Sequence, residues 1–490
     1  MRSLWGSVRQ VVVSAFTGRY RWLAYAGSAG IVVIVAAGLF LLLHKPGNVS
    51  HPKLSFTAPK TTPTATTKTT PPPPHHHKPK PPPDTFKWRL YGYNPQRTRD
   101  FVGAASDLRP PFRRGWSLGG NATLEFPPTM YAHDLFFMDD GATVKKVDAL
   151  TGKVLWEKHI GTLSAASPAL DVQRRLLFVP TLSDTSSSPG NGRFAALSMK
   201  TGHVAWTKGI PDGTESQPLV SQGTVYFGDQ GGHVYALNEN TGAVRWTYQA
   251  AGAVKGGLAL DHGILFFGDY SGHAYALRAS DGHVVWDVGT SGTAYGFGSG
   301  TFYATPAVAF GRVYLGNTDG FVYSFAEKTG ALAWRTGTGA YVYSSAAVAD
   351  TPGLGPTVYV GSYDGHFYAF DAASGAVRWS HDDGDRISGS STIVNNVVYY
   401  SDLDNKLTTG LNARTGAVEF TFHDGAFTPI MGDQHTLFLS GYNILYELLP
   451  RNTRSERARH QRNHARARNH QRTRHQARAH QRRSRARHGH

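Results

Sequence analysis

The 490-residue chain contains no cysteine, which excludes disulfides, thiolate metal centres, iron–sulfur clusters and cysteine nucleophiles together. A chain without thiols suits oxidising and reducing compartments equally. Charge is also scarce, at 17% of residues, and acids are nearly absent from both ends. Residues 1–85 carry a formal +9 and residues 451–490 a formal +13, so of the total +16 the body, residues 86–450, keeps −6. A nucleic-acid-binding domain carries its basic stripe on the folded surface, and this body has no such excess. The tail 451–490 has no apolar side chain larger than alanine and so cannot build a core alone. What is plentiful is glycine, 55 residues, with 12% aromatics, a composition of turns and packed strands.

One stretch does lack charge for a reason. Residues 23–43, LAYAGSAGIVVIVAAGLFLLL, run uncharged for 21 residues, close to the ~20 that cross a bilayer as a helix. No small-residue cleavage site follows, so an uncleaved single-pass anchor is expected rather than a signal peptide. Arg2, Arg9, Arg19 and Arg21 precede the run, favouring residues 1–22 in the cytoplasm and the rest outside the membrane. Residues 44–85 hold twelve prolines and nine threonines and read as a disordered spacer, which in polyproline II geometry reaches up to roughly 130 Å. His75–His77 within it read as solvated linker rather than metal ligands.

The body repeats. The string VDALTGKVLW (147–156) returns at 197–206, 237–246, 277–286, 325–334, 370–379 and 411–420, each copy with a glycine four residues before an aromatic. A β-branched or aromatic run such as VYFGD (225–229) precedes each. The unit reads as strand, turn, strand, Thr-Gly turn, strand, and units of about 40 residues describe propeller blades. An eighth run, TLFLSG (436–441), has no repeat string after it, whereas Trp116 stands 40 residues before Trp156 without a blade of its own. Pairing the two leftovers predicts an eight-bladed all-β ring over 86–450, closed by its N- and C-terminal strands; a seven-bladed ring would leave both unused.

The A-x-[DN]-x-x-T-G-x-x-x-W pattern, with WRLYGYNPQRT (88–98) as lead-in, resembles the tryptophan-docking repeat of PQQ-like, quinoprotein-type eight-bladed propellers. The resemblance implies that Trp116, Trp156, Trp206, Trp246, Trp286, Trp334 and Trp379 dock between blades and that Phe420 packs less well. It also implies two function classes. Relatives with bound pyrroloquinoline quinone and Ca²⁺ oxidise alcohols or sugars, using carboxylate and amide ligands and often a disulfide against the cofactor; outer-membrane barrel-assembly lipoproteins use the ring as a scaffold. The absence of cysteine and the near-minimal blades favour a scaffold with no cofactor, binding an envelope or protein partner, with the dehydrogenase as the alternative.

No residue pattern marks a catalytic site. Asp382, Asp383 and Asp385 in HDDGDR could face Ca²⁺, but the segment is short and reads as a solvated turn. Asp139, Asp229, Asp269 and Asp402 recur once per blade, as turn acceptors do, and His203, His233, His273, His283 and His366 are repeat-related as well. Departures from the repeat are better binding candidates. They are the insertions 183–192 and 350–356, and the aromatic, glycine-rich stretch 291–306 with the connection after it. Tyr295, Phe297, Phe302, Tyr303, Tyr341 and Tyr343 form the expected partner-binding loop, since aromatics dominate contact energy. The tail's fourteen arginines and seven histidines suit a polyanion. If so, retention of the protein on an anionic matrix falls steeply as salt rises; retention indifferent to salt would remove the polyanion as a partner.

Overall fold

The repeat folds as eight four-stranded antiparallel blades, seven made from consecutive strands and one from both ends of the domain; three of these sheets gain a fifth strand from ahead of the repeat, of which Asp100–Phe101 pairs in parallel. The computed structural model describes residues 47–59, 86–120, 122–183, 191–290, 300–427 and 430–451. The third blade shows the logic. Its inner strand Leu219–Ser221 is short because eight such strands crowd one axis. Its second strand Thr224–Gly228 is buried along its whole length. Sheets that stack on both faces need a continuous apolar run there rather than alternation. The outer strand Val244–Gln249 alternates exposed and half-buried residues because it forms the rim.

The eighth sheet is the predicted closure: Ile430–Gly432, Leu437–Ser440 and Ile444–Pro450 are completed by Phe112–Gly119, which carries Trp116. Blade joins blade through tryptophan. Trp116 Nε1 donates to Ala149 O at 2.9 Å, and the same bond runs from Trp206 to Glu239, Trp246 to Ala279, Trp286 to Glu327, Trp334 to Ala372 and Trp379 to Ala413. Trp156 reaches Met199 O at 3.3 Å. Each indole lies on the glycine of the next blade's Thr-Gly turn. At Gly152, where φ is +69°, an added Cβ would sit 2.6 Å from the Trp116 ring. Only glycine supplies both that dihedral and that space. Phe420 faces a blade without such a turn and packs instead edge-on to Phe112 and Tyr399, at 5.5 and 5.9 Å.

One mouth of the axis is filled by the lead-in. Lys87–Trp88 pairs with the inner strand of blade 1. The carbonyls of Arg89, Pro95, Gln96, Thr98 and Arg99 accept bonds from the inner strands of blades 2, 4, 5, 6 and 7. Blade 3 is met by a side chain, because Arg97 donates to Gln217 O and Pro218 O at 3.2 and 3.1 Å as well as to Leu258 O at 2.9 Å and to Tyr91 O. Ala105 N reaches Gln434 O in blade 8. The segment thus plugs the channel and ties every blade to one strand of backbone.

Two sequence expectations meet the structure differently. Residues 23–43 lie outside the described residues; among those described, no helix is long and apolar enough to cross a membrane. Within the stretch expected to be spacer, Val49–Ser50 instead pairs with the outer strand Leu332–Gly337 of blade 5, and Leu54 and Phe56 pack against that blade's core. Composition missed this because the proline and threonine content of 44–85 masks three apolar side chains at its start.

The Arg97 guanidinium is fully buried among carbonyls, so Arg97→Ala strands several acceptors at once. It should cost about 3 kcal/mol in chemical denaturation; a loss below about 0.5 kcal/mol would mean the plug does not bind the blades together.

Candidate functional site

Opposite the plug the axis opens into a cavity of about 200 Å³. Tyr91 of the plug forms part of its lining, with its hydroxyl donating to Ser390 Oγ at 2.6 Å. The walls come from the connections that carry the chain from each rim to the next inner strand. In those connections one residue wedges between blades and the next faces the mouth. Val254, Phe302, Val342 and Ile387 are the wedges: each packs where a Cβ on Gly228, Gly268, Gly316 or Gly361 would collide with it. The mouth residues stand four positions before the inner strands, and Glu125, Lys255, Tyr303, Tyr343 and Ser388 among them line the cavity.

The expected binding loop therefore divides. Tyr303 and Tyr343 line the cavity, their rings edge-to-face at 5.5 Å. Tyr341 is 53% exposed beside them, 6.0 Å from Tyr343. Phe302 is a correction: it is fully buried, edge-on to Tyr323 at 5.9 Å, and serves packing rather than recognition. Its wedge position follows from the repeat register, which the aromatic–glycine alternation obscured. Tyr295 and Phe297 lie outside the described residues. Tyr91, Glu125, Phe126, Lys255 and Tyr363 also line the cavity and were not singled out from the sequence. For Glu125 and Lys255 a signal was available in the fixed spacing to the inner strand, once that strand's start was known.

Charge in the mouth is unevenly paired. Lys255 Nζ lies 2.9 Å from Glu215 Oε1 and 4.9 Å from the Tyr270 ring centre. Tyr303 donates to the other Glu215 oxygen at 3.3 Å. Glu125 has no described cation within ion-pair reach. Burial, with Asp140 and Glu215 adding negative field, pushes its carboxyl up to about 7. Burial and the same two glutamates hold the Tyr303 phenol well above its ordinary value. Beyond Tyr343, Tyr363 lies tilted against it at 4.9 Å, and Arg386 sits 5.7 Å above the Tyr363 ring. The aromatic arc thus already holds one cation at each end.

The acidic residues weighed from sequence serve turns. Asp229 and Asp269 accept from the backbone N–H groups of His233 and His273, and Asp402 from those of Asn405 and Leu407. In HDDGDR, Asp382 accepts from Gly384 N, Asp383 from the Tyr400 hydroxyl and Asp385 from Asn405, three separate directions. Among the described residues, three metal-capable side chains converge within 4.8 Å only at Asp212, Asp229 and His233 and at Asp261, His262 and Glu327. Neither group lines the cavity. A Ca²⁺–quinone pair needs several oxygen ligands for the metal and cations for a tricarboxylate. The described lining offers one carboxylate, Glu125, and one cation, Lys255, which Glu215 already occupies. These residues do not fit that pair.

An eight-bladed ring with one plugged mouth and one aromatic, acidic mouth is a PQQ-like propeller. The model of the family described as outer membrane protein assembly factor BamB matches residues 140–256, 250–351 and 318–454, and the chain belongs to that family. Among solved structures, BamB from Moraxella catarrhalis is 18% identical, covering 70% of this chain and 99% of its own, with a TM-score of 0.57. A europium-containing methanol dehydrogenase is 13% identical, covering 74% and 98%, at 0.61. The computationally designed Ika8 protein is 14% identical, covering 68% and 98%, at 0.56. At these identities the likeness concerns the fold. No curated protein sequence matches the chain.

The raised Glu125 carboxyl has a stability consequence of definite sign. A folded value above the ordinary one favours folding below about pH 4.5, and that contribution is lost as pH rises through about 7. Glu125→Gln should therefore raise the thermal midpoint at about pH 8 and leave it unchanged near pH 4. Equal midpoints of variant and parent at both pH values would show that the carboxyl is not charged and unpaired in the mouth.

Proposed function

We propose that the chain is a non-enzymatic binding scaffold of the cell envelope, anchored by residues 23–43 with its propeller outside the cytoplasmic membrane, and that the open mouth receives a basic segment of a protein partner. The observation that carries this reading is Glu125, a carboxylate without a described counter-ion in an aromatic-walled mouth whose opposite end is closed by the lead-in. A lysine or arginine entering there gains the carboxylate and the π faces of Tyr303, Tyr343 and Tyr363 together. The tail 451–490, with its arginines and histidines, adds a second, electrostatic attachment to a polyanion. The family's description as an assembly factor supports a scaffold; its likeness to methanol dehydrogenase keeps the oxidoreductase as the alternative, which the donor set of the mouth does not favour.

Binding of a tetralysine peptide to the detergent-solubilised protein, followed by calorimetry, is the direct test, with tetraglutamate as control. The lysine peptide should bind more tightly as pH rises from about 6 to about 8, because a cation favours ionised Glu125, and Glu125→Gln should weaken it roughly tenfold. Binding indifferent to both would defeat the mouth as the site. Incubation with the quinone and Ca²⁺ separates the alternative: quinone absorbance retained on the protein, with dye-linked alcohol oxidation, would establish the dehydrogenase instead.

A further inference from the structure

Blade 5 differs from its siblings at the rim, and each difference faces residues 49–58. Val49 and Ser50 extend its sheet by pairing with Arg335 and Trp334. His51 N donates to Ala333 O at 2.6 Å, and Thr57 N to Phe310 O at 2.9 Å, so both ends of the segment are fixed to backbone. Between them Phe56 lies 5.9 Å from Phe310, and Leu54 packs into the same apolar group. Ser50 Oγ reaches across to Ser374 O, in the Thr-Gly-type turn of blade 6, at 2.7 Å.

The blade is shaped for this occupant. Arg312 opens its second strand, where blades 3, 4 and 7 have Thr224, Ile264 and Val397. The guanidinium is fully buried, donates to Pro52 O at 3.3 Å and lies 5.7 Å from the Phe56 ring centre. At Gly311 a Cβ would collide with Ser55 O, whereas nothing lies within 4 Å of the corresponding position at Gly263. Trp334 is completely buried, while Trp206, Trp246 and Trp379, equivalent residues on rims that carry no such segment, are only half-buried. A strand pairing, a buried arginine, a glycine cleared for a carbonyl and two apolar anchors make a built slot rather than a chance contact.

We propose that residues 49–58 are a clasp for the rim slot of blade 5, a segment from outside the repeat that docks on this one blade through the contacts above and stays docked in solution.

The cysteine-free chain makes the test clean. In the full chain, Ser50→Cys combined with Ser374→Cys should oxidise to an intramolecular cross-link, detected as a bridged peptide by mass spectrometry, and Ser50→Cys with Thr241→Cys, at the equivalent turn of blade 3, should not. Adding Leu54→Asp and Phe56→Asp, which lie outside the ring and leave it folded by circular dichroism, should slow the first cross-link roughly a hundredfold, since a charge is then forced into the slot. Equal cross-linking to Ser374→Cys and Thr241→Cys, or a rate unmoved by the aspartates, would overturn the clasp.

Discussion

The ring depends on one contact made seven times, an indole laid flat on a glycine of the neighbouring blade with its N–H satisfied by a carbonyl of the same turn. The contact joins a large apolar face to a backbone that has no side chain to interpose, so neighbouring blades approach closely and at a fixed angle. Because each sheet is held by the next, the inner strands are brought to the axis in a common register. Everything at the axis inherits that precision: the plug finds six inner strands at the right height, and the mouth residues hold one position relative to them.

This division of labour explains what could be read in advance. The Thr-Gly…Trp string is structural and recurs, so blade number and closure through Trp116 were legible. Recognition residues are those that do not recur. Glu125, Lys255, Tyr303, Tyr343 and Ser388 share a position and nothing else, which leaves no pattern to detect without the register of the inner strands. Tyr303 and Tyr343 stood out because they are aromatic in a glycine-rich setting. That same criterion drew in Phe302, whose ring is spent between blades. Glu125 and Lys255 carried no signal beyond that spacing, since their significance lies in which partner each has or lacks.

The clasp was hidden by the opposite effect. In 44–85 the prolines and threonines dominate any average, and a docking segment needs only a few anchors when the surface opposite is already built. The more informative residues were on the receiving side. Arg312, at the head of a strand where blades 3, 4 and 7 have Thr224, Ile264 and Val397, pairs with a carbonyl and a ring supplied from outside the repeat.

The shared eighth sheet sets the order in which the molecule can be completed. Phe112–Gly119 emerges early in synthesis, but its only partner strand, Ile444–Pro450, is made more than three hundred residues later. Until then the strand has an unpaired edge and the lead-in has no inner strands to thread, so a partly made chain presents the open β-edges and apolar sheet faces on which aggregation starts. The finished ring hides its edges only by making the first strand wait for the last. A protein built this way needs protection of its nascent chain for longer than its modest blades would suggest.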